Sequence, residues 1–397
     1  MHDEWIDQGR EVFLQNYKPL PIVIDRGEGN YIYDHAGKKY LDFVAGIATN
    51  ALGYSYEPLK KAMKDQIDKI THCSNLYYNE PGIRAAQKLV ELSGLSKVFF
   101  CNSGAEANEA ALKLGKRYIN KYVNEHKTEI ITMKNSFHGR TIATVSITGQ
   151  TKYHEGFAPL FQGVTYTPFN DIEALGKILT EKTAILMIEP VQGEGGIRPA
   201  EKSFLEKARA LCDALDIVLI FDEVQCGIGR TGTVFAYEQY GVKPDIVTLA
   251  KGLGAGYVIG AIIANEKTSK GFEPGTHAST FGGNPLSTTA TSVVLDALVH
   301  EGLLDHVKAM GAYLDTCLMA LKSRHTSIMD VRGMGLMMAI EMERPVGDII
   351  AMALEKGLML INSGTHIIRF VPPLTIKQTE IDEMIQILED VLTYKVS

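Results

Sequence analysis

Six short apolar runs through the middle of the chain restrict what it can fold into. They are "KVFFC" (97–101), "EIITM" (129–133), "AILMI" (184–188), "IVLIF" (217–221), "DIVTLA" (245–250) and "VIGAIIA" (258–264). Most carry apolar residues without alternation, so strands built from them must be covered on both faces. Stretches of helical periodicity such as 103–123 and 201–214 lie between them. Strands alternating with helices lead to an α/β domain with a largely parallel sheet. The last hundred residues follow another pattern. Helical segments near 286–301 and 303–323 precede "SIMDVRGMGLMMAIEM", "GLMLIN" and "HIIRFVPP", and a terminal helix starts at about Gln378. That is an α+β module. The N-terminal "GEGNYIYDHAGKKYLDF" fits a β-hairpin turning at Asp34–Gly37, packed with that module. A chain of 397 residues points to two domains. The expected division is an N-terminal segment (1–55) packing with the small domain, a large domain (56–300) and a small C-terminal α+β domain (301–397).

Composition excludes several function classes. A net charge of -7 argues against binding phosphate backbones as the main task, so no nucleic-acid partner is expected. The five cysteines (Cys73, Cys101, Cys212, Cys226 and Cys317) include no CxxC pair, which fits reduced thiols and neither a disulfide framework nor a metal site. No run approaches the roughly 18 apolar residues of a membrane span, and "MHDEWIDQGREVFLQNYKPLP" lacks the apolar core of a signal peptide. The chain reads as soluble and cytoplasmic.

Ligands of open α/β sheets bind at the carboxyl ends of the strands. Five of the apolar runs end in polar or glycine-rich segments: "NSGAEANEA" after Cys101, "KNSFHGR" after Met133, "EPVQGEGG" after Ile188, "DEVQCGIGR" after Phe221, and Lys251 after Ala250. Each alone is ordinary loop composition; together they describe one site.

The pieces carry competing readings. Ser103 followed three residues later by Glu106 fits a capping box and needs no ligand; equally, Ser103, Gly104 and Ala105 offer a hydroxyl and free amides to an anion at a helix N-terminus. Gly227, Gly229 and Gly232 spell GxGxxG, but a dinucleotide fingerprint follows its strand at once and opens a long helix. Here Asp222 to Gln225 intervene, and only about nine residues follow before Gly241. Asp222 itself ends an apolar strand, where a buried carboxylate needs a cationic partner to stay ionised. Lys251 ends the next one; a partly desolvated lysine has a lowered pKa and becomes nucleophilic. A lysine for a Schiff base, a carboxylate for a ring nitrogen and a phosphate cup are the three demands of pyridoxal phosphate. Glu189 and Glu194 sit on a loop with Pro190 and three glycines, and Arg369 in "HIIRFVPP" either faces solvent or clamps a carboxylate.

"LIFDEVQCGIGRTG" followed by "KPDIVTLAKGLGAGY" resembles the signature of class III (subgroup II) aminotransferases, which are fold-type I pyridoxal-phosphate enzymes. The resemblance covers essentially the whole chain. "NSGAEANEAALKLGKRY", "SFHGRT", "EPVQGEGGIRP" and "HASTFGGNPLS" occur in family order, and "NYKPLPIVIDRGEGNYIYDHAGKKYLDFVAGIATNALG" is most similar to the acetylornithine-using branch. The resemblance implies pyridoxal 5'-phosphate as cofactor. It makes Lys251 the Schiff-base lysine and proton shuttle, Asp222 the partner of the ring nitrogen, and Gln225 a neighbour of the ring hydroxyl. Ser103, Gly104 and Ala105 would hold the phosphate, and Phe137 would stack on the ring. Thr280 would reach the phosphate site of a neighbouring subunit, which implies a homodimer with shared active sites, and Ser279 beside it would lie in the substrate site. Arg140 would bind the α-carboxylate of acetylornithine, Arg369 that of glutamate, and Tyr17 would also contact substrate. Glu194 would pair with Arg369 while the ω-amine is bound and yield it to glutamate. Related ornithine aminotransferases usually place a tyrosine where Ile47 stands, to recognise a free α-amino group, so Ile47 favours an acylated ornithine. Thr49 and Tyr54 replace a more usual valine and histidine and bear on the same choice.

Overall fold

In the computed structural model, which describes residues 2–393, the apolar runs become a seven-stranded sheet. In chain order its strands are β1 (Lys97–Cys101), β2 (Glu129–Met133), β3 (Val164–Thr167), β4 (Thr183–Ile188), β5 (Val218–Asp222), β6 (Ile246–Leu249) and β7 (Gly260–Ala264). Their spatial order is β1-β7-β6-β5-β4-β2-β3. The five strands from β6 to β3 pair in parallel. β7 is antiparallel to both its neighbours, β6 and β1, so β1 points the same way as the others. Six strands therefore deliver their carboxyl ends to one edge.

β4, β5 and β6 are buried at each position, and successive residues feed opposite layers. Ile185 and Met187 pack with Ala107, Ala110, Ala111 and Leu114 of helix α1 (Gly104–Tyr122). Leu186 and Ile188 join the larger core with Phe204, Leu205 and Leu295. That two-sided cover is why these runs show no alternation. Helix and sheet approach closely at Gly115, where a Cβ would lie 3.1 Å from Ile185 Cδ1.

β3 ("VTYT") was not expected from the sequence. Its burial is partial and it lies at the sheet edge, so it has no apolar run to announce it. The helix His2–Val12 was likewise not anticipated. Beyond the central sheet, Ile328–Met334, Met337–Met342, Ile367–Phe370 and Ile361–Ser363 form an antiparallel sheet, packed by the helix Leu303–Arg324, against which Gln378–Thr393 lies in turn. The N-terminal strands Ile24–Glu28, Tyr31–Asp34 and Lys39–Asp42 pair antiparallel around a turn held by Asp34, whose Oδ1 accepts from Ala36 N and Lys38 N at 2.9 Å each. Leu358–Met359 adds to Lys39–Asp42 in parallel, tying residues near the N-terminus to the last hundred.

Candidate active site

The loops leaving β1, β2, β4, β5 and β6 surround a cavity of ≈ 410 Å³ at the carboxyl edge of the sheet. Among its lining residues are Ser103, Gly104, Ala105, Phe137, Arg140, Glu194, Asp222, Gln225 and Lys251. Lys251 opens a short 3-10 turn, Lys251–Gly254, with a left-handed φ of 41°. A non-glycine residue there is uncommon and marks a constrained position. Burial lowers the pKa of its ammonium group; Glu194, Asp222 and Glu189 pull it back up, while Arg369 pushes it further down. The net lowering enlarges the unprotonated, nucleophilic fraction near neutrality.

Asp222, 3% exposed, lies on the floor of the cavity at the end of β5. Its Oδ2 takes hydrogen bonds from Asn108 Nδ2 (2.8 Å) and the His138 ring Nδ1 (2.7 Å), and its Oδ1 accepts from Val224 N at 3.0 Å. Burial works against the charged form of His138, but Asp222 outweighs it and raises the imidazole pKa. The pair lies within the buried wall of the cavity, His138 and Asp222 both being almost fully covered. Asn108 Nδ2 is also within 2.7 Å of His138 O, which ties α1 to the loop after β2. Glu189 accepts from Phe137 N (3.0 Å) and Gly193 N (3.2 Å). Burial pushes its carboxyl up to about 7, with His138 opposing.

Ser103 caps α1, its Oγ accepting from Glu106 N at 3.1 Å. The reciprocal bond departs from the capping-box expectation: Glu106 Oε2 accepts from Asn102 N (2.7 Å) and Asn102 Nδ2 (2.9 Å), one residue before the cap. Gly104 is needed for close packing, since a Cβ there would lie 2.6 Å from Val224 Cγ1.

Arg369 is not solvent-facing, which removes one of its two sequence readings. It is 2% exposed, and its Nη1 lies 2.5 Å from Glu194 Oε1. Burial alone would raise the Glu194 carboxyl, but Arg369 and Lys251 hold it below the usual carboxylate range. Phe137 meets Tyr153 edge to face at 5.6 Å, and the Arg140 guanidinium lies 4.1 Å from the Tyr153 ring centroid. Arg140 thus stands at the mouth, supported by aromatic faces.

Other expected residues fall outside the cavity lining. Tyr17 is 79% exposed, and Thr280 is also exposed. Ser279 Oγ accepts from Asn102 Nδ2 (3.2 Å) and Gly282 N (3.0 Å) beside the α1 cap. Thr49 does line the cavity. Ile47 is exposed on an adjoining turn. Tyr54 does not line the cavity: its hydroxyl is donated to the buried Asp42 and its ring covers Gly27. No α-helix opens after Gly227, Gly229 and Gly232; the next element is the short 3-10 turn Ala236–Gln239. Asn108 and His138 were missed in the sequence, although both lie inside quoted motifs. Asn108 is one helical turn beyond Gly104 and so shares its face; His138 stands between Phe137 and Arg140 in "FHGR".

The family model described as Aminotransferase class-III matches residues 12–392. The chain is 48% identical to the acetylornithine aminotransferase of Methanocaldococcus jannaschii over 98% of each protein. It is 42% identical to the succinylornithine transaminase/acetylornithine aminotransferase of Pseudomonas aeruginosa, over 95% of this chain and 94% of that protein. A solved ornithine aminotransferase from Toxoplasma gondii, with partial occupancy of PLP at its active site, superposes with a TM-score of 0.95 at 30% identity, covering 99% of this chain and 94% of that one. The fold is that of fold-type I pyridoxal-phosphate enzymes.

Class-III aminotransferases use pyridoxal 5'-phosphate, and the cavity fits it. A capped helix N-terminus offers amides to a phosphate, Asp222 offers a carboxylate held by three donors, and Lys251 offers an amine in the same cavity. Gln225 Oε1 is buried without a hydrogen-bond donor, which suits the hydroxyl of a bound ring.

Proposed function

The chain belongs to the class-III aminotransferase family, and we propose that within it the protein moves the δ-amino group of N2-acetyl-L-ornithine to 2-oxoglutarate. The products are N-acetyl-L-glutamate 5-semialdehyde and L-glutamate, a step of arginine biosynthesis. The observation that carries the reading is the pairing of the buried Arg369 with the half-buried Glu194 beside Lys251. An enzyme that takes an amine first from a side-chain terminus and then from an α-carbon needs an arginine for the second carboxylate and a way to neutralise it during the first. An unpaired buried guanidinium is costly, and Glu194 removes that cost. Ile47, an apolar residue, suits an acylated and therefore uncharged α-nitrogen.

Pyridoxal phosphate, when bound, supplies an electron sink for the bonds at the amine-bearing carbon. In this reading the amides of Gly104 and Ala105 with the Ser103 hydroxyl hold its phosphate, Phe137 covers its ring and Gln225 meets its hydroxyl. Asp222, fixed by Asn108 and His138, keeps a ring nitrogen protonated. Lys251 anchors the cofactor and, when free, takes the proton from the substrate carbon and returns it, a task its lowered pKa favours. Arg140 receives the α-carboxylate of acetylornithine at the cavity mouth, with Tyr17 and Ser279 nearby in the assembled enzyme. Arg369 receives the α-carboxylate of glutamate.

The assembly we infer is a homodimer with shared active sites, Thr280 of each subunit serving the other. Residues 72–79 pack on the loop before Pro285, with Asn75 Nδ2 donating to Ser279 O at 3.0 Å and to Gly282 O at 2.8 Å. That surface exposes Leu76, Tyr77, Tyr78 and Phe281, an apolar patch of the kind that marks an interface. We also propose the division into an N-terminal segment (1–55), a large cofactor-binding domain (56–300) and a small domain (301–397). The shared sheet of Lys39–Asp42 and Leu358–Met359 supports it. A cytoplasmic location agrees with five free thiols and with no described helix being long and apolar enough to cross a membrane.

A substrate panel tests the reading, followed by loss of the visible absorbance of the holoenzyme. N-acetylornithine and glutamate should both bleach it, ornithine and 4-aminobutyrate far more slowly, and Lys251→Ala should respond to none. Faster conversion of free ornithine than of N-acetylornithine would refute the assignment. Succinylornithine belongs in the panel because a relative named for both acyl donors is 42% identical.

A further inference from the structure

Ala45, Gly46, Ile47 and Ala48 all have positive φ, at 50°, 62°, 63° and 62°. They form a turn of left-handed helix, which is costly for each of its three non-glycine residues and most unusual for a β-branched one. Such a conformation persists only where its surroundings over-determine it. Asp42, 1% exposed, accepts from Val44 N (2.8 Å) and Ala45 N (2.9 Å) through Oδ1 and from the Tyr54 hydroxyl (2.5 Å) through Oδ2. The Tyr54 hydroxyl in turn accepts from Asn50 Nδ2 at 3.2 Å, and Asn50 N donates to Ala45 O at 2.9 Å. Thr49 Oγ1 closes the far side on Gly46 O at 2.7 Å. The Tyr54 ring lies where Gly27 leaves room, since a Cβ at residue 27 would fall 2.4 Å from it.

The clamped turn adjoins the chemistry. A Cβ on Gly256 would lie 2.6 Å from Asn50 Oδ1, and one on Gly252 would lie 3.8 Å from Ala48 O, so residues 48–50 rest on the segment that follows Lys251. Thr49 lines the cavity, and Gly46 and Ile47 are the exposed residues of the turn.

We propose that Asp42, Tyr54 and Asn50 form a clamp that keeps residues 45–48 left-handed, so that Ile47 and Thr49 meet the acyl-bearing end of the amino donor. Tyr54 is then a positioning residue for donor specificity, acting through the turn without touching the donor. The inference rests on the donor being an N2-acylated ornithine. A turn relaxed towards right-handed geometry would carry Ile47 away from that end and leave the glutamate carboxylate, bound at Arg369, unaffected.

Tyr54→Phe tests this in the holoenzyme, because it removes one hydroxyl and keeps the ring over Gly27. Losing a hydrogen bond to a buried carboxylate is worth roughly tenfold or more. KM for N-acetylornithine should rise about tenfold with kcat held within about twofold. Discrimination against free ornithine should narrow by a similar factor, while the glutamate half-reaction and the cofactor dissociation constant stay at wild-type values. Asp42→Asn, which keeps an acceptor for the two amides, should produce a smaller change in the same direction. A parallel fall in both half-reactions, loss of cofactor, or an unchanged KM for N-acetylornithine would overturn the clamp. If the unmodified enzyme itself prefers ornithine, the donor assignment falls first and the inference with it, a result read on wild type before any variant.

Discussion

Replacing Glu194 by glutamine tests whether its charge distinguishes the two half-reactions, as proposed. The Arg369 guanidinium is 2% exposed and its Nη1 lies 2.5 Å from Glu194 Oε1. With charge centres about 4 Å apart and an effective dielectric near 20, the attraction is about 4 kcal/mol. Glu194 is 22% exposed on its side chain, and glutamine keeps a hydrogen-bond acceptor, so about half of this, ~2 kcal/mol, is the expected net loss. That corresponds to roughly 30-fold in rate or affinity. The loss falls on the donor half-reaction, where Arg369 would be left unpaired. Glutamate brings its own carboxylate and no longer has to displace Glu194, so its half-reaction should hold or improve. Single-turnover absorbance measurements on the holoenzyme give kcat/KM for each half-reaction separately, and the ratio of glutamate to N-acetylornithine should rise about 30-fold. A ratio within about threefold of wild type would refute the neutralising role. A loss concentrated in the glutamate half-reaction would mean that Glu194 orients Arg369 and does not compete for it.

Two further perturbations test the frame around the site. Gly104→Ala puts a methyl 2.6 Å from Val224 Cγ1 and forces the turn open at the proposed phosphate cup, an overpacking worth 1–3 kcal/mol, on the order of tenfold or more. The cofactor dissociation constant should rise by that factor with the circular dichroism spectrum unchanged, and an unchanged constant would show that these amides do not hold the phosphate. Glu223, buried and accepting from Ala236 N (2.6 Å) and Tyr237 N (2.7 Å), has its carboxyl pushed by burial up to about 8. Because the folded pKa lies above the unfolded one, its stabilising contribution is full below the ordinary carboxylate range and is lost as pH rises through about 8. The Tm of Glu223→Gln should therefore decline less than wild type between pH 6 and 9; parallel declines would sink this assignment.

How far the sequence could be read follows from the range of the interactions that decide each feature. Strands β4, β5 and β6 were legible because burial on both faces writes itself as unbroken apolar runs. The location of the site was legible because five such runs end in polar or glycine-rich segments, each ordinary alone but together on one edge of the sheet. β3 was invisible because an edge strand of Val, Thr and Tyr has no such run. The reversal of β7 could have been read: residues 250–259 alone separate β6 from β7, too short for the crossover of a dozen or more residues that a parallel partner requires. His138 and Asn108 were hidden by distance along the chain, since they reach Asp222 across 84 and 114 positions. The turn at residues 45–48 was hidden differently. Only Gly46 advertises positive φ, and nothing in "AGIA" says that three other residues will accept it. What compels them is Asp42, whose two carboxylate oxygens divide between the turn's first amides and Tyr54. Local preference at Ile47 opposes the observed backbone, and a chain retains such an opposition only when a network outside the turn enforces it. The strained position therefore identifies its enforcers, and it identifies them as the residues whose loss should be felt first in the choice of amino donor.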